Sequence, residues 1–325
     1  MDNNQSVAVL LATYNGEKYL AEQLDSILKQ KNINVHIIAR DDGSTDKTVT
    51  MLHEYSKKYA HKITVISKKS NENGHLANFS ALCEYALTTS FEYFCFADQD
   101  DVWHDNKLNL LLSRLIKAQG GSSVPLLVHS DMRVVDEALS LIDPSFVNYQ
   151  GLPEPDKHDF PLFCHQNVVT GCATMFNRAL LEVAAPLPQG LLVHDYWFAL
   201  NAKVFGQLVY VNDSLIDYRQ HGINSIGATE IKIQRSYARS YIYKMALRYL
   251  KLFPSYIYQC KLITQQQNYD LHANDYLNGF AELNKYNLFK RIRLIAVYFP
   301  NAKSLMMKIY FVILMIILPI LVKCR

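Results

Sequence analysis

An α/β protein built on a mainly parallel, doubly wound sheet is predicted by three observations. Apolar runs of strand length alternate with amphipathic runs of helical length. The strand-length runs are continuously apolar, as expected for strands covered on both faces. Each run stops in a polar turn carrying Asn, Asp or Gly. A basic, helical C-terminal region follows this sheet.

Val7-Ala8-Val9-Leu10-Leu11-Ala12 reads as the first strand, broken by Thr13-Tyr14-Asn15-Gly16. Glu17 to about Gln30 places Leu20, Leu24, Ile27 and Leu28 on one helical stripe. Val35-His36-Ile37-Ile38-Ala39 is the second strand, ending in Arg40-Asp41-Asp42-Gly43-Ser44-Thr45-Asp46, where Ser44 or Thr45 is expected to cap the next helix. Ile63–Ile66 is the third strand, and Asn73-Gly74 opens a helix through about Leu87. The fourth strand, Tyr93 to Ala97, runs into Asp98-Gln99-Asp100-Asp101-Val102-Trp103, ahead of a helix from about Asn106.

Beyond this point the alternation loosens. Leu126-Leu127-Val128-His129 reads as a strand, and residues 143–161, with four prolines, as a long loop. Asn167 to Phe176 reads as a strand interrupted at Gly171, where a bulge or a close approach to substrate is expected. His194 opens a helix to about Phe205, and Leu208–Val211 is the last strand, followed by Asp217-Tyr218-Arg219-Gln220-His221-Gly222.

The formal net charge of +3 hides an asymmetry: residues 231–325 carry +12 and 11 of the 21 tyrosines, which leaves residues 1–230 at −9. Two regions are therefore expected, 1–230 and 231–325. The six cysteines show no CxxC spacing, so neither a zinc site nor a disulfide framework is indicated. No signal peptide is visible, and the first region is expected in the cytoplasm.

The chemistry concentrates where strands end. Carboxylates are rarely buried without partners, and open α/β sheets bind ligands outside the carboxyl ends of their strands. Asp98 and Asp100, two apart, leave one face of an extended segment and suit a hard cation such as Mg²⁺ or Mn²⁺. A solvated acidic turn capping the next helix is the plainer reading, and both stay open. For Asp195 the plain reading is an N-cap of a helix from Tyr196, which is compatible with a chemical role.

Taken in order, Ala12-Thr13-Tyr14-Asn15-Gly16-Glu17, Arg40 to Asp46, Ala97 to Trp103, His194-Asp195-Tyr196-Trp197 and Tyr218 to Ser225 resemble the inverting family 2 glycosyltransferases of GT-A fold, over roughly residues 6–225. The Asp98 to Trp103 and Tyr218 to Gly222 stretches resemble bacterial rhamnosyltransferase-type enzymes of surface polysaccharide synthesis. The resemblance implies a hexosyltransferase-class enzyme that moves a sugar, rhamnose being one candidate, from a dTDP- or UDP-linked donor to a hydroxyl of a growing, lipid-linked glycan such as O-antigen, capsule or exopolysaccharide. It implies that Thr13, Asn15, Glu17, Asp42 and Asp98 bind the donor nucleotide, that Asp98, Asp100 and His221 hold Mg²⁺ or Mn²⁺, and that Asp195 is the catalytic base. Trp103, Gly171, His194, Tyr196 and Trp197 fall in the implied acceptor region, although bulky aromatics are more often core.

The tail interleaves Arg235, Arg239, Lys244, Arg248 and Lys251 with Tyr241 and Tyr249, and ends in an apolar segment, 305–322, interrupted by Lys308. Basic residues with tyrosine fit a membrane interface better than nucleic acid. An in-plane or re-entrant anchor is expected, since Ile309 to Val322 is shorter than a bilayer span. A buried helix packed on the protein or on a second copy is the alternative. The expected location is the cytoplasmic face of the bacterial inner membrane, peripheral or anchored at the C-terminus, with a homo-oligomer allowed. A nucleotidyltransferase is disfavoured because no Gly-rich basic loop follows the first strand. A non-catalytic assembly partner is disfavoured by the intact Asp42, Asp98, Asp100 and Asp195.

Overall fold

Ser6–Thr13 forms β1, apolar from Val7 to Ala12, and Val7, Ala8, Val9, Leu10 and Leu11 have no exposed surface. A strand with no polar face has to be covered on both sides. Val7, Val9 and Leu11 pack with Leu20, Leu24 and Ile27 of α1 (Leu20–Leu28) and Leu52 of α2 (Thr48–Lys58). Ala8 and Leu10 point the other way, where α3 (His75–Leu87) lies against the strand. The computed structural model from which these contacts are read describes residues 5–67, 73–152, 155, 160–222, 252–266, 269–270, 274–296, 312–313 and 316.

β1 pairs in parallel with β2 (Asn34–Asp41) and β4 (Tyr93–Ala97), and β2 with β3 (Ile63–Ile66). The register sets Thr13 beside Asp41 and Leu11 beside Ala97, so the turns after β1, β2 and β4 emerge on one edge. The remaining strands are β5 (Val102–Trp103), β6 (Leu126–Val135), β7 (Leu141–Asp143), β8 (Thr174–Asn177) and β9 (Gln207–Arg219). Together they make a nine-stranded sheet in the order β3-β2-β1-β4-β8-β6-β9-β5, with β7 on β6.

The expected parallel sheet is present from β3 to β4, but the other half is mixed. β8 runs antiparallel to both β4 and β6. Gly171–Ala173 form a 3₁₀ turn where a strand interruption was expected. The expected four-residue strand from Leu208 extends to Arg219. Register shifts opposite Asp131 let β9 stay paired with β6 as far as Val135, which carries Tyr218 and Arg219 into the sheet.

α4 (Lys107–Gln119) buries Leu108, Leu111, Leu112 and Leu115 and stops at Gly120, whose φ of 53° is left-handed. α5 (Phe146–Tyr149) occupies part of the expected long loop and is capped by Ser145. Asn177 caps α7 (Arg178–Ala184), and α8 spans His194–Phe205. Neither Ser44 nor Thr45 caps α2, whose N-cap is Lys47. Asp46 instead accepts from Thr48 N at 2.9 Å.

Two compact units are present: residues 1–156, 168–189 and 193–231, and residues 157–167, 190–192 and 232–325. The second contains α6 (Phe160–His165), α9 (252–264), α10 (Asp275–Ala281) and α11 (Leu288–Ala296). Phe253 and Phe280 meet edge-on at 5.6 Å among buried Ile257, Cys260, Ile263 and Leu283. Residues 231–250 and almost all of 305–322, on which the anchor expectation rests, lie outside the described residues. Among the described residues no helix is long and apolar enough to cross a membrane.

Asp217 joins three elements of the first unit. It accepts from Arg133 of β6 at 2.6 and 2.7 Å and from His104 at 2.9 Å. Burial alone raises its pKa, but His104 and Arg133 outweigh that and hold it at about 2. A depressed carboxylate stabilises the fold above its unfolded pKa, and the contribution is lost as pH falls through about 2. Asp217→Asn is expected to cost up to ~2 kcal/mol at pH 7 in urea unfolding, with the difference gone below about pH 2.

Candidate functional site

The turns after β1 and β2 are tied together by their side chains. Asn15, in a left-handed conformation with φ 47°, donates its N–H to Ser44 Oγ at 2.7 Å, and its Oδ1 accepts from Thr45 N at 2.8 Å. Glu17 Oε2 accepts from Lys47 N at 2.9 Å. Thr13, 1% exposed, donates to Asp41 Oδ1 at 2.9 Å. Gln99 clasps the same loop from β4, accepting from Tyr14 N at 2.7 Å and donating to Tyr14 O at 2.8 Å. A Cβ on Gly16 would collide with that amide. The side chains of Thr13, Asn15 and Glu17, expected to touch a nucleotide, are therefore engaged in holding the loops in place.

Asp42 turns inward as well. Its Oδ2 accepts from Gly74 N at 2.6 Å, and its Oδ1 lies 3.6 Å from the fully buried Arg40. Arg40 donates to Asn78 Oδ1 at 3.0 Å, and Asn78 donates to Thr13 O at 3.2 Å, so strand ends and α3 share one network.

The acidic stretch after β4 divides. Asp98, Asp101 and Cys172 bring ligand atoms within 4.8 Å of one another, the one such cluster among the described residues. Asp100 is absent from it and pairs with His221 Nε2 at 2.8 Å. Asp101 is 1% exposed, and burial, followed by the charges of Asp100 and Asp98, raises its pKa well above the usual range. Burial likewise raises the Cys172 thiol. Both atoms favour their protonated forms and are poor ligands for a hard cation. Of Asp98, Asp100 and His221, the metal ligands that the resemblance implies, only Asp98 belongs to this cluster, while Asp100 and His221 pair with each other.

Asp195 lies in the first turn of α8, not at its N-cap, which is Val193. Its Oδ2 accepts from Gly171 N at 3.1 Å and its Oδ1 from Tyr196 N at 2.5 Å. Burial, opposed by His75 and these two N–H groups, moves its pKa up to about 6. A Cβ on Gly171 would come within 2.7 Å of His194 Nε2, so the close approach requires glycine. His194 is itself buried beneath the turn, stacked on Phe79 at 3.8 Å and kept neutral by burial. The other expected acceptor-side residues are also interior: Tyr196 has no exposed surface, Trp197 is 1% exposed with its indole N–H on Ala184 O at 2.8 Å, and Trp103 is 2% exposed. Their rings fill the core and offer no stacking wall.

Four residues of the site were not anticipated. His75, first residue of α3, lies 3.6 Å from Asp98. Burial lowers its pKa, but Asp98 outweighs this and raises it, with Asp195 and Asp100 adding to the effect. Arg219 donates to Asp100 O at 2.9 Å and to Glu137 O at 2.6 Å, pairs with Glu22 and covers the Tyr19 ring. Gln99 and Lys107 complete the set. A helix starting beside Gly74 on the carboxyl edge was the available signal for His75. Nothing local marks Lys107, which sits on an ordinary helical stripe.

The sequence pattern described as glycosyl transferase family 2 fits residues 8–184. This chain belongs to glycosyl transferase family 2. The transferase is 27% identical over 241 residues to the dTDP-rhamnosyl transferase RfbG of Shigella flexneri, covering 70% of this chain and 77% of that protein. It is 28% identical to an uncharacterized glycosyltransferase of Haemophilus influenzae, over 68% of each chain. Its fold is similar to that of Staphylococcus aureus TarS, residues 1–349, solved with UDP-GlcNAc (TM-score 0.55, 15% identity, 91% of this chain and 80% of that one). It also matches a Pyrobaculum calidifontis mannosyltransferase solved with GDP-Man and Mn²⁺ (TM-score 0.52, 14% identity, 97% and 86%). The GT-A-type fold expected from the motifs is thereby found, on a mixed rather than mainly parallel sheet.

The raised pKa of Asp195 carries a stability cost. Its protonated form is favoured in the fold, so stability falls as pH rises from the unfolded value towards about 6. Asp195→Asn is expected to raise the melting temperature at pH 8, by an amount equivalent to at most ~3 kcal/mol, and to have no such effect below about pH 4.

Proposed function

We propose that the transferase moves a sugar from a nucleoside-diphosphate donor, dTDP- or UDP-linked, to an acceptor hydroxyl by a single inverting displacement with Asp195 as base. One observation carries this reading. Asp195 is a carboxylate of raised pKa, fixed by two backbone N–H groups, in the neighbourhood of Asp98 through His75. A base whose pKa lies near the working pH is efficient at taking a proton in the transition state.

Mg²⁺ or Mn²⁺ bound by Asp98, Asp100 and His221 would offset the charge of the departing diphosphate. The chain's own residues do the rest. Gly171 N–H and Tyr196 N–H hold the Asp195 carboxylate in one orientation. The acceptor O–H gives its proton to Asp195 as its oxygen bonds to the anomeric carbon. The bond from that carbon to the diphosphate oxygen breaks, and its electron pair leaves with the nucleoside diphosphate. The clasped loops at 13–17 and 41–48 would give the nucleotide a preformed wall, with Asp42, held by Gly74 N–H, and the 55% exposed Tyr14 as the groups to meet the base. The Mn²⁺ and GDP-Man of the mannosyltransferase neighbour and the dTDP-sugar named for the Shigella relative support this reading. Rhamnose is the first donor sugar to test, and a glycan of the cell surface the acceptor class.

We propose further that the acceptor is lipid-linked and met at the cytoplasmic face of a membrane. The +12 charge of residues 231–325 supports it, as do Leu288 and Phe289 of α11, 42% and 78% exposed beside Lys290 and Arg293. Phe289→Asp is expected to reduce co-sedimentation with vesicles containing anionic phospholipid. Equal binding by both proteins would remove α11 from the contact.

The central test is a thermal-shift and hydrolysis panel with dTDP-rhamnose, UDP-glucose, UDP-GlcNAc and GDP-Man, each with and without MnCl₂. One donor is expected to raise the melting temperature only with metal, and Asp98→Ala to abolish the shift. Asp195→Asn is expected to keep the shift and lose about 10²–10⁴-fold in turnover. Full turnover by Asp195→Asn would reject the base assignment.

A further inference from the structure

Lys107 has no exposed surface, an unusual place for an ammonium group. It sits 3.0 Å from the Trp103 ring centroid, and its Nζ donates to the carbonyl of Cys172 at 2.7 Å. Burial lowers its pKa to about 8, against the opposing pull of Cys95, Cys172, Asp101 and Asp98. An apolar side chain of similar volume would fill this position with less desolvation. What lysine adds is a donor aimed at one backbone carbonyl.

That carbonyl belongs to the Gly171–Ala173 turn. The turn is clamped a second time by Thr174 Oγ1, which donates to Gly171 O at 2.7 Å. It is closed by Ala173 N on Thr170 O at 3.0 Å and pressed from below by His194 under Gly171. From this turn the Gly171 N–H donates to Asp195 Oδ2 at 3.1 Å.

We propose that Lys107 is a positioning residue for Asp195: by holding the Cys172 carbonyl from inside the core, it fixes the turn whose Gly171 N–H orients the Asp195 carboxylate. The inference rests on Asp195 being the base. Lys107 touches neither substrate nor reacting atoms. It acts through a backbone turn, and Thr174 serves the same turn without a charge. Small displacements of a catalytic group are costly, on the order of 10²-fold for about 1 Å.

The test uses the full chain and whichever nucleotide sugar of the panel the unmodified enzyme hydrolyses with MnCl₂. Lys107→Met and Thr174→Val are each combined with Asp195→Asn. Lys107→Met is expected to lower kcat roughly ten- to hundredfold with the donor KM changed less than about twofold, and Thr174→Val to lower it by a smaller factor in the same pattern. In both, the acidic limb of the kcat profile moves to higher pH, because Asp195 loses an N–H that stabilises its charged form while facing the same His75 and Asp98. Neither substitution is expected to add to the loss in Asp195→Asn. Because Thr174→Val leaves every charge in place, its shift separates positioning from the loss of a buried cation, and it carries the test alone if Lys107→Met does not fold. Unchanged kcat in Thr174→Val, a loss confined to KM, or a loss fully additive with Asp195→Asn overturns the inference. Full turnover by Asp195→Asn overturns the base assignment instead, whatever Lys107→Met does.

Discussion

Repulsion among carboxylates gathered at one sheet edge is the constraint on which the first unit depends. Parallel pairing of β1, β2 and β4 sends three strand ends to the same side, and the sequence places Asp41, Asp42, Asp98, Asp100 and Asp101 at those ends. Like charges at such separations cannot all stay ionised and buried without compensation. Compensation comes from four directions. Arg40 reaches Asp42 from within β2, and Arg219 arrives from β9 against the backbone of Asp100. His221 meets the Asp100 carboxylate, and the buried Lys107 feels the charges of Asp101 and Asp98. The unexpectedly long β9 fits this arrangement: it ends at Arg219, and His221 follows two residues on, so both reach the acidic stretch.

Rigidity is the second consequence. Asn15, Glu17, Ser44, Thr45 and Thr48 spend their hydrogen bonds on each other's loops, and Gln99 ties the first loop to β4. A surface built this way is ordered before a ligand arrives, so less conformational entropy is lost on binding. The same economy appears around Asp195, where the partners are backbone N–H groups and the supporting contacts lie in the core. The orientation of the Asp195 carboxylate, the base in the proposed reaction, is therefore set by residues one layer behind it.

Much of the fold was legible because its signals are local. Continuous apolar runs gave β1, β2 and β4, and the start of α4 was expected within a residue of where it lies. The antiparallel β8 and the extension of β9 were not legible. Pairing direction depends on how the chain returns to the sheet, and β9 is completed only through β-bulges opposite Asp131. In the site, Asp98 and Asp100 stand out as carboxylates ending an apolar run, whereas Asp195 and His221 were marked only by the family resemblance. For Trp103, Tyr196 and Trp197 the sequence left the acceptor region and the core both open, with core the commoner place, and burial decides for the core. His75 and Lys107 escaped because one begins a helix and the other lies on a helical stripe, positions that carry no chemical signature by themselves.

The sequence by itself determined the fold class, the family and the edge of the sheet on which the chemistry sits, because each follows from the order of short segments. Tertiary structure alone decided which carboxylates are paired, which are forced towards protonation and which face a partner. Those properties depend on burial and on distances between residues far apart in the chain. Asp100 and Asp101 are neighbours with the same side chain, yet one meets His221 at the site and the other is sealed in the core near Lys107. The pKa of a carboxyl group is set by its solvent and its neighbours, and neither is written in the local sequence.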